Sequence, residues 1–176
     1  MPPTASKTDR ASDIIVFMGV CGCGKSAVAQ AFAQRSGWNY LDADEYHPPE
    51  NVSKMASGEA LTDADRAPWL ERLNALLIAA RSEKRRTALA CSALKKSYRD
   101  LLRANGLEIQ FVFLDGSREL LLSRLGERSD HFMPSTLLDS QLQTLERPQN
   151  ALIIDITPPL EHVVDSVEAA LAENRP

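Results

Sequence analysis

Eight consecutive residues, Gly19-Val20-Cys21-Gly22-Cys23-Gly24-Lys25-Ser26, constrain this chain more than any others, because they match G-x-x-x-x-G-K-[ST]. The run Ile14-Ile15-Val16-Phe17-Met18 precedes them and reads as a buried strand. Ala27-Val28-Ala29-Gln30-Ala31-Phe32-Ala33 follows and reads as a helix. Strand, glycine-rich turn and helix are the context in which this motif holds a polyphosphate. The glycines let successive backbone N–H groups turn inward, and the helix N-terminus adds a favourable dipole. The cradle therefore runs from Gly19 to Ala27. Lys25 is expected to reach the β/γ oxygens and Ser26 to ligate Mg²⁺.

Composition narrows the class further. The 176 residues suit a single domain, with 44% hydrophobic and 25% charged residues, as in ordinary globular proteins. A formal net charge of −4 argues against a general nucleic-acid binder. Three cysteines, two of them inside the phosphate loop, make no disulfide framework and point to a reducing compartment. No apolar run reaches the length of a membrane span, and the first thirteen residues lack the apolar core of a secretory signal. The expectation is a cytoplasmic protein with a disordered tail over 1–13 and one domain over 14–176.

Strands are expected at 14–18, 38–41, 87–91, 109–114 and 151–154. Helices are expected at 24–35, 68–82, 95–104, 118–127, 134–146 and from Pro159 onward. Short apolar strands alternating with helices imply an α/β fold, a parallel sheet covered on both faces. Ligands in such sheets collect at the carboxyl ends of the strands. Those ends carry the phosphate loop, Asp42 and Asp44, Ser92 with Lys95, and Asp115. The polar segment 45–69 is too long for a simple connection and is expected to hold substrate.

Phosphoryl transfer needs positioning, a metal, cationic charge and a group that orients the attacking oxygen. Asp42 and Asp44, one residue apart in an extended chain, would point the same way. One could hold a metal-bound water and the other accept a hydroxyl proton. Asp115 and Asp155 also follow apolar strands, but read more naturally as turn caps. His47, Lys54, Ser57, Arg66 and Trp69 in the insert, with Ser92, Lys95, Lys96 and Arg99 beyond the third strand, suit a small, anionic, hydroxylated substrate. Arg118, Arg124 and Arg128, with His131, suit a lid that excludes water; Leu121, Leu122 and Leu125 read equally well as a core face of the same segment. No Asn-Lys-x-Asp guanine-reading motif is present.

The segments MGVCGCGKSAVA (18–29), LDADEYHP (41–48), NVSKMASGEALTDADRAPWL (51–70), CSALKKSYRDLLR (91–103) and SQLQTLERP (140–148) together resemble the gluconate kinases, within the shikimate-kinase and nucleoside-monophosphate-kinase group. The resemblance spans nearly the whole chain. It implies a three-layer P-loop fold whose five-stranded parallel sheet has the order 2-3-1-4-5, with a substrate insert at 45–69 and a lid at 118–137. It implies phosphorylation of D-gluconate at its 6-hydroxyl by ATP with Mg²⁺, in a homodimer. Shikimate or nucleoside-monophosphate kinases, and a non-catalytic ATP sensor, are the alternatives. By position, Lys25, Asp44, Arg124 and Arg128 would be catalytic, with Arg124 or Arg128 against the adenine. Ser26 and Asp42 would hold the metal. Asp44, His47, Lys54, Arg66, Ser92 and Lys95 would meet gluconate. Cys21 and Cys23 stand where similar enzymes usually carry small residues such as serine. Thiols so close to cationic groups are expected to be oxidisable, with ATP protecting them.

Overall fold

The computed structural model describes residues 12–127 and 135–174. Five parallel strands form one sheet: β1 (Ile14–Met18), β2 (Asn39–Asp42), β3 (Thr87–Ala90), β4 (Gln110–Asp115) and β5 (Ala151–Asp155), in the order β2-β3-β1-β4-β5. Seven helices are described: α1 (Lys25–Ser36), α2 (Pro49–Ala56), α3 (Asp63–Ser82), α4 (Lys96–Leu102), α5 (Arg118–Gly126), α6 (Ser135–Thr144) and α7 (Leu160–Glu173).

The central strand β1 is buried along its whole length, so its apolar residues serve two cores at once. The two-residue strand period sends Ile15 and Phe17 to one face, with Ala88, Ala90, Val112 and Leu114. Val28 and Phe32 of α1, Leu121 and Leu125 of α5, Leu138 of α6 and Val163, Val164 and Val167 of α7 cover that face. Ile14, Val16 and Met18 point the other way, with Leu89, Phe111 and Phe113, beneath Trp69, Leu70, Leu73 and Leu77 of α3 and Tyr98 and Leu102 of α4. Burying a side chain of this size contributes about 1.5–3 kcal/mol. Two filled faces therefore hold the strand ends, and whatever they carry, in fixed positions.

The polar insert proves to be mostly helical. A 3₁₀ turn over Ala43–Tyr46 leads into α2, and Gly58 (φ 81) lets the chain reverse toward α3. The third helix starts five residues before the expected 68 because Thr62 and Asp65 form a reciprocal capping box. Pro68 then sits inside the helix. Gly37 closes α1 in the left-handed conformation, its N–H donating to the Ala33 carbonyl.

Candidate active site

The phosphate loop joins β1 to α1 and is held from three sides. Gly22 has φ 83, and a Cβ there would come within 3.1 Å of the Leu121 carbonyl and of Leu125 on α5. Only glycine satisfies both the backbone and the contact. Gly19 N–H donates to the Ser92 carbonyl at 3.3 Å, which ties the start of the loop to the end of β3. Cys21 N–H donates to Gln141 Oε1 of α6 at 2.7 Å. Both loop cysteines are buried in the core, Cys21 at 8% and Cys23 at 1% exposure. A Cβ on Gly19 would lie 2.7 Å from the Cys23 sulfur, so that thiol packs beneath the loop instead of facing a ligand. The expected oxidant-sensitive thiols are therefore shielded from solvent by packing. Cys91 is buried as well, and burial pushes its thiol up to about 12.

Ser26, in the first turn of α1, donates its hydroxyl to Asp42 Oδ2 at 3.0 Å. Tyr40 donates to the same oxygen at 3.2 Å, and Asp44 N–H donates to Asp42 Oδ1 at 3.0 Å. Asp42 ends β2 and caps the 3₁₀ turn that follows. The two aspartates are thus neighbours, but not through strand alternation: the chain leaves the extended conformation between them. The Asp44 side chain is 81% exposed at the rim, 4.0 Å from His47 Nε2.

His47 lies flat on Trp69, with ring centroids 4.1 Å apart and planes 15° apart. Its Nδ1 is 3.3 Å from the side-chain amide of the buried Asn51. With that amide as donor, the ring proton sits on Nε2, facing Asp44. Burial holds the His47 pKa below its ordinary value; Asp44 opposes this and Arg66 adds to it.

The expected substrate cations are present, each already partnered. Lys54 pairs with Asp65 Oδ2 at 2.7 Å, linking α2 to the start of α3. That bond, with the amide and hydroxyl of Thr62, holds the Asp65 carboxyl down at about 2. Lys95 bonds both oxygens of Asp63 at 3.0 Å. Tyr98 donates to Asp63 as well, and Arg66 Nη1 reaches Tyr98 Oη at 3.3 Å and the Leu61 carbonyl at 2.7 Å. The hydrogen bonds from Tyr98 and then Lys95 lower the Asp63 pKa. Arg66, Lys95, Tyr98 and Asp63 thus form one cluster above the end of β3. Sequence reasoning missed Asp63, Asp65 and Tyr98; two acids flanking a helix start, opposite an expected basic patch, were the available signal.

Arg124 runs from α5 to the Ile156 carbonyl after β5, and one guanidinium nitrogen lies 3.9 Å from where a Gly24 Cβ would be. It therefore flanks the phosphate loop, while its helix is packed into the core through Leu121 and Leu125. Arg128 and His131 lie outside the described residues. Arg118 pairs with Asp139 at 2.7 Å and Asp115 with Arg147 at 2.7 Å. Asp155 caps the turn through the N–H and hydroxyl of Thr157, as expected. Asp115, Gly116, Ser117, Ile153 and Asp155 line a cavity of about 440 Å³ at the ends of β4 and β5. Arg99, grouped by sequence with the substrate cations, is instead buried beneath the β3–α4 connection, bonding the carbonyls of Ala93, Leu94 and Glu146.

The rim can bind a polyphosphate, offer hydroxyl and carboxylate oxygens to a hard cation, and present a free carboxylate beside them. Known proteins resemble this chain over most of its length. An AAA-domain family model matches residues 14–148. The thermoresistant gluconokinase of Escherichia coli (strain K12) is 44% identical over 165 residues, covering 92% of this chain and 94% of that protein. The gluconokinase of Gluconobacter oxydans (strain 621H) is 50% identical over 134 residues, 76% of this chain and 75% of that one. The crystal structure of a gluconokinase from Sinorhizobium meliloti 1021 superposes with a TM-score of 0.84 at 44% identity, covering 94% and 95% of the two chains. A shikimate kinase from Acinetobacter baumannii shares the fold at 17% identity, with a TM-score of 0.59.

Proposed function

The chain belongs to the gluconokinase family and phosphorylates gluconate from ATP, and on that footing we propose how its rim carries the reaction. The loop amides within Gly19–Ala27 cradle the polyphosphate, apart from those bonded within the fold: Gly19 to Ser92, Cys21 to Gln141 and Cys23 to Val20. Lys25 neutralises the β/γ oxygens. Ser26 Oγ and Asp42 Oδ2, 3.0 Å apart, are hard oxygen donors of the kind Mg²⁺ takes. Bound there, the ion would supply positive charge to the phosphate oxygens.

Asp44 is the general base. Its carboxylate takes the proton of the gluconate 6-hydroxyl as that oxygen bonds to the γ-phosphorus. The bond to the ADP oxygen breaks, and 6-phosphogluconate and ADP result. Arg124 holds charge at the nucleotide side, and Arg128 is assigned the same task by position. Lys54, Arg66, Lys95, Ser92 and His47 receive the gluconate carboxylate and hydroxyls, with Asp63 and Asp65 holding the lysines until substrate arrives. Segment 45–69 serves as substrate domain and 118–137 as lid, with the core-packed α5 as the fixed base of that lid, within a cytoplasmic homodimer. The homodimer is tested by sedimentation equilibrium, where a monomer mass at working concentration would remove it.

The arrangement of Ser26, Asp42 and Asp44 carries this reading: a metal-type oxygen pair with an exposed carboxylate two residues on. Asp44→Asn should keep ATP binding and lower kcat by about 10²–10⁴-fold. An assay coupled to ADP release, run with gluconate, decides it. Near-normal turnover of the variant would assign the base elsewhere. Shikimate and nucleoside monophosphates should give no turnover in the same assay.

A further inference from the structure

The mechanism above leaves one contact of the phosphate loop unused. Gln141 Oε1 accepts the Cys21 N–H at 2.7 Å, joining residues 120 apart in the chain. A glutamine amide carries one acceptor and two donors. With its oxygen committed to the backbone, the direction of its Nε2 is restricted too, and among the described residues no acceptor is paired with that nitrogen.

The helix that carries it is firmly seated. Leu138, one turn earlier, is fully buried, and Leu142 and Leu145 pack against the core. Just beyond α6, Glu146 N–H donates to the Leu94 carbonyl at 2.9 Å and its carboxylate accepts Lys96 N–H at 2.6 Å. Arg99 grips the Glu146 carbonyl at 2.9 Å. An amide held on such an element is aimed before any ligand arrives.

Its aim follows from the order of the loop. Lys25 and Ser26 open α1 and hold the ATP tail. Gly19, at the other end, is bonded to the carbonyl of Ser92, in the β3–α4 connection assigned to the acceptor side. Cys21 lies between those ends, so the side-chain amide bonded to it stands at the middle of the loop, between the residues assigned to ATP and the connection assigned to the acceptor. We propose that Gln141, anchored by the Cys21 amide, donates from Nε2 to the γ-phosphoryl oxygens during transfer. The proposal rests on the kinase reading. Gln141 exchanges no proton and forms no covalent bond: the hydroxyl proton still goes to Asp44, and ADP still leaves. A preorganised donor aimed at charge that develops in the transition state is worth about 100-fold in rate.

Two variants test it in the full chain. Gln141→Leu removes acceptor and donors together. Gln141→Glu keeps an oxygen for the Cys21 amide but replaces the donors with an anion. Both should lower kcat by about 100-fold, the glutamate at least as much, with ADP affinity within about threefold of the parent. Both should also lose the extra affinity that the parent shows for ADP with aluminium fluoride, Mg²⁺ and gluconate over ADP alone. If the glutamine only fastened α6 to the loop, Gln141→Glu would match the parent while Gln141→Leu lost thermal stability and ADP affinity. That pattern overturns the proposal, as does normal turnover by Gln141→Leu. A parent protein that fails on gluconate, yet gains affinity for ADP with aluminium fluoride in a Gln141-dependent way, would remove the substrate reading and leave this one standing.

Discussion

His47 shows how burial sets the protonation of a single side chain beside the exposed Asp44 carboxylate. Its ring is 6% exposed, stacked on Trp69 and within 4.0 Å of Asp44. Burial outweighs the nearby carboxylate, so the folded ring resists protonation more than an unfolded histidine does. The sign follows from linkage. As pH falls below about 6.5, the unfolded state takes up this proton and the folded state does not, so stability drops. Thermal unfolding of the parent between pH 8 and 5 should therefore show a decline that is weaker in His47→Asn. Equal slopes would mean that the ring protonates freely in the fold. The placement of Asp42 and Asp44 together at the rim was legible in the sequence, since they follow a strand beside a phosphate loop. Their geometry was not, because the 3₁₀ turn that separates them depends on Asp42 accepting the Asp44 amide. The burial of the loop cysteines was not legible for a related reason: a motif shows which backbone faces the ligand, but not which side chains the neighbouring elements bury.

At the scale of elements, the connection between β3 and α4 brings Ser92 and Lys95 to the rim and is supported from below by one charged residue. Arg99 is 4% exposed and donates to three backbone carbonyls, of Ala93, Leu94 and Glu146. Burial lowers its pKa, with Glu146 opposing the shift. Nothing in the local pattern separates this arginine from the exposed cations around it, since its third partner is 47 residues away. Strand and helix placement was legible because it depends on short-range periodicity. The start of α3 was not, because Leu70, Leu73 and Leu77 mark its apolar face only from residue 70 onward, whereas its first turn is polar and set by the Thr62–Asp65 capping box. Arg99→Met keeps much of the volume and leaves three carbonyls without their donor. At about 1 kcal/mol per lost bond, it should cost about 3 kcal/mol, or roughly 6–12 °C in Tm. The KM for gluconate should rise as Ser92 and Lys95 lose their fixed positions. An unchanged Tm would show that solvent replaces the guanidinium without loss.

For the whole molecule, the strand order puts β1, with the phosphate loop, between β3 and β4, so the nucleotide cradle stands at the centre of the rim. The helices that flank it belong to different layers: α1 and α5 to one core, α3 and α4 to the other. That order came from the family resemblance, because single-strand patterns say which segments are strands but not which lie side by side. The architecture makes ligand binding a global stabiliser. The loop amides are assembled only when β1, α1 and α5 are packed, so ATP binds the folded state and not the unfolded chain. At a free concentration 100 times its Kd, such a ligand adds about 2.7 kcal/mol. For a domain of this size that is roughly 5–10 °C in Tm. Gluconate contacts are assigned to α2, α3 and the β3–α4 connection, on the opposite layer. Because one sheet joins the layers, gluconate should raise the same single transition, not a separate one. Differential scanning calorimetry with each ligand alone and with both, using a non-hydrolysable ATP analogue, checks this. Two resolved transitions, with each ligand moving only one, would show that the layers unfold independently and that the sheet does not couple the two sites.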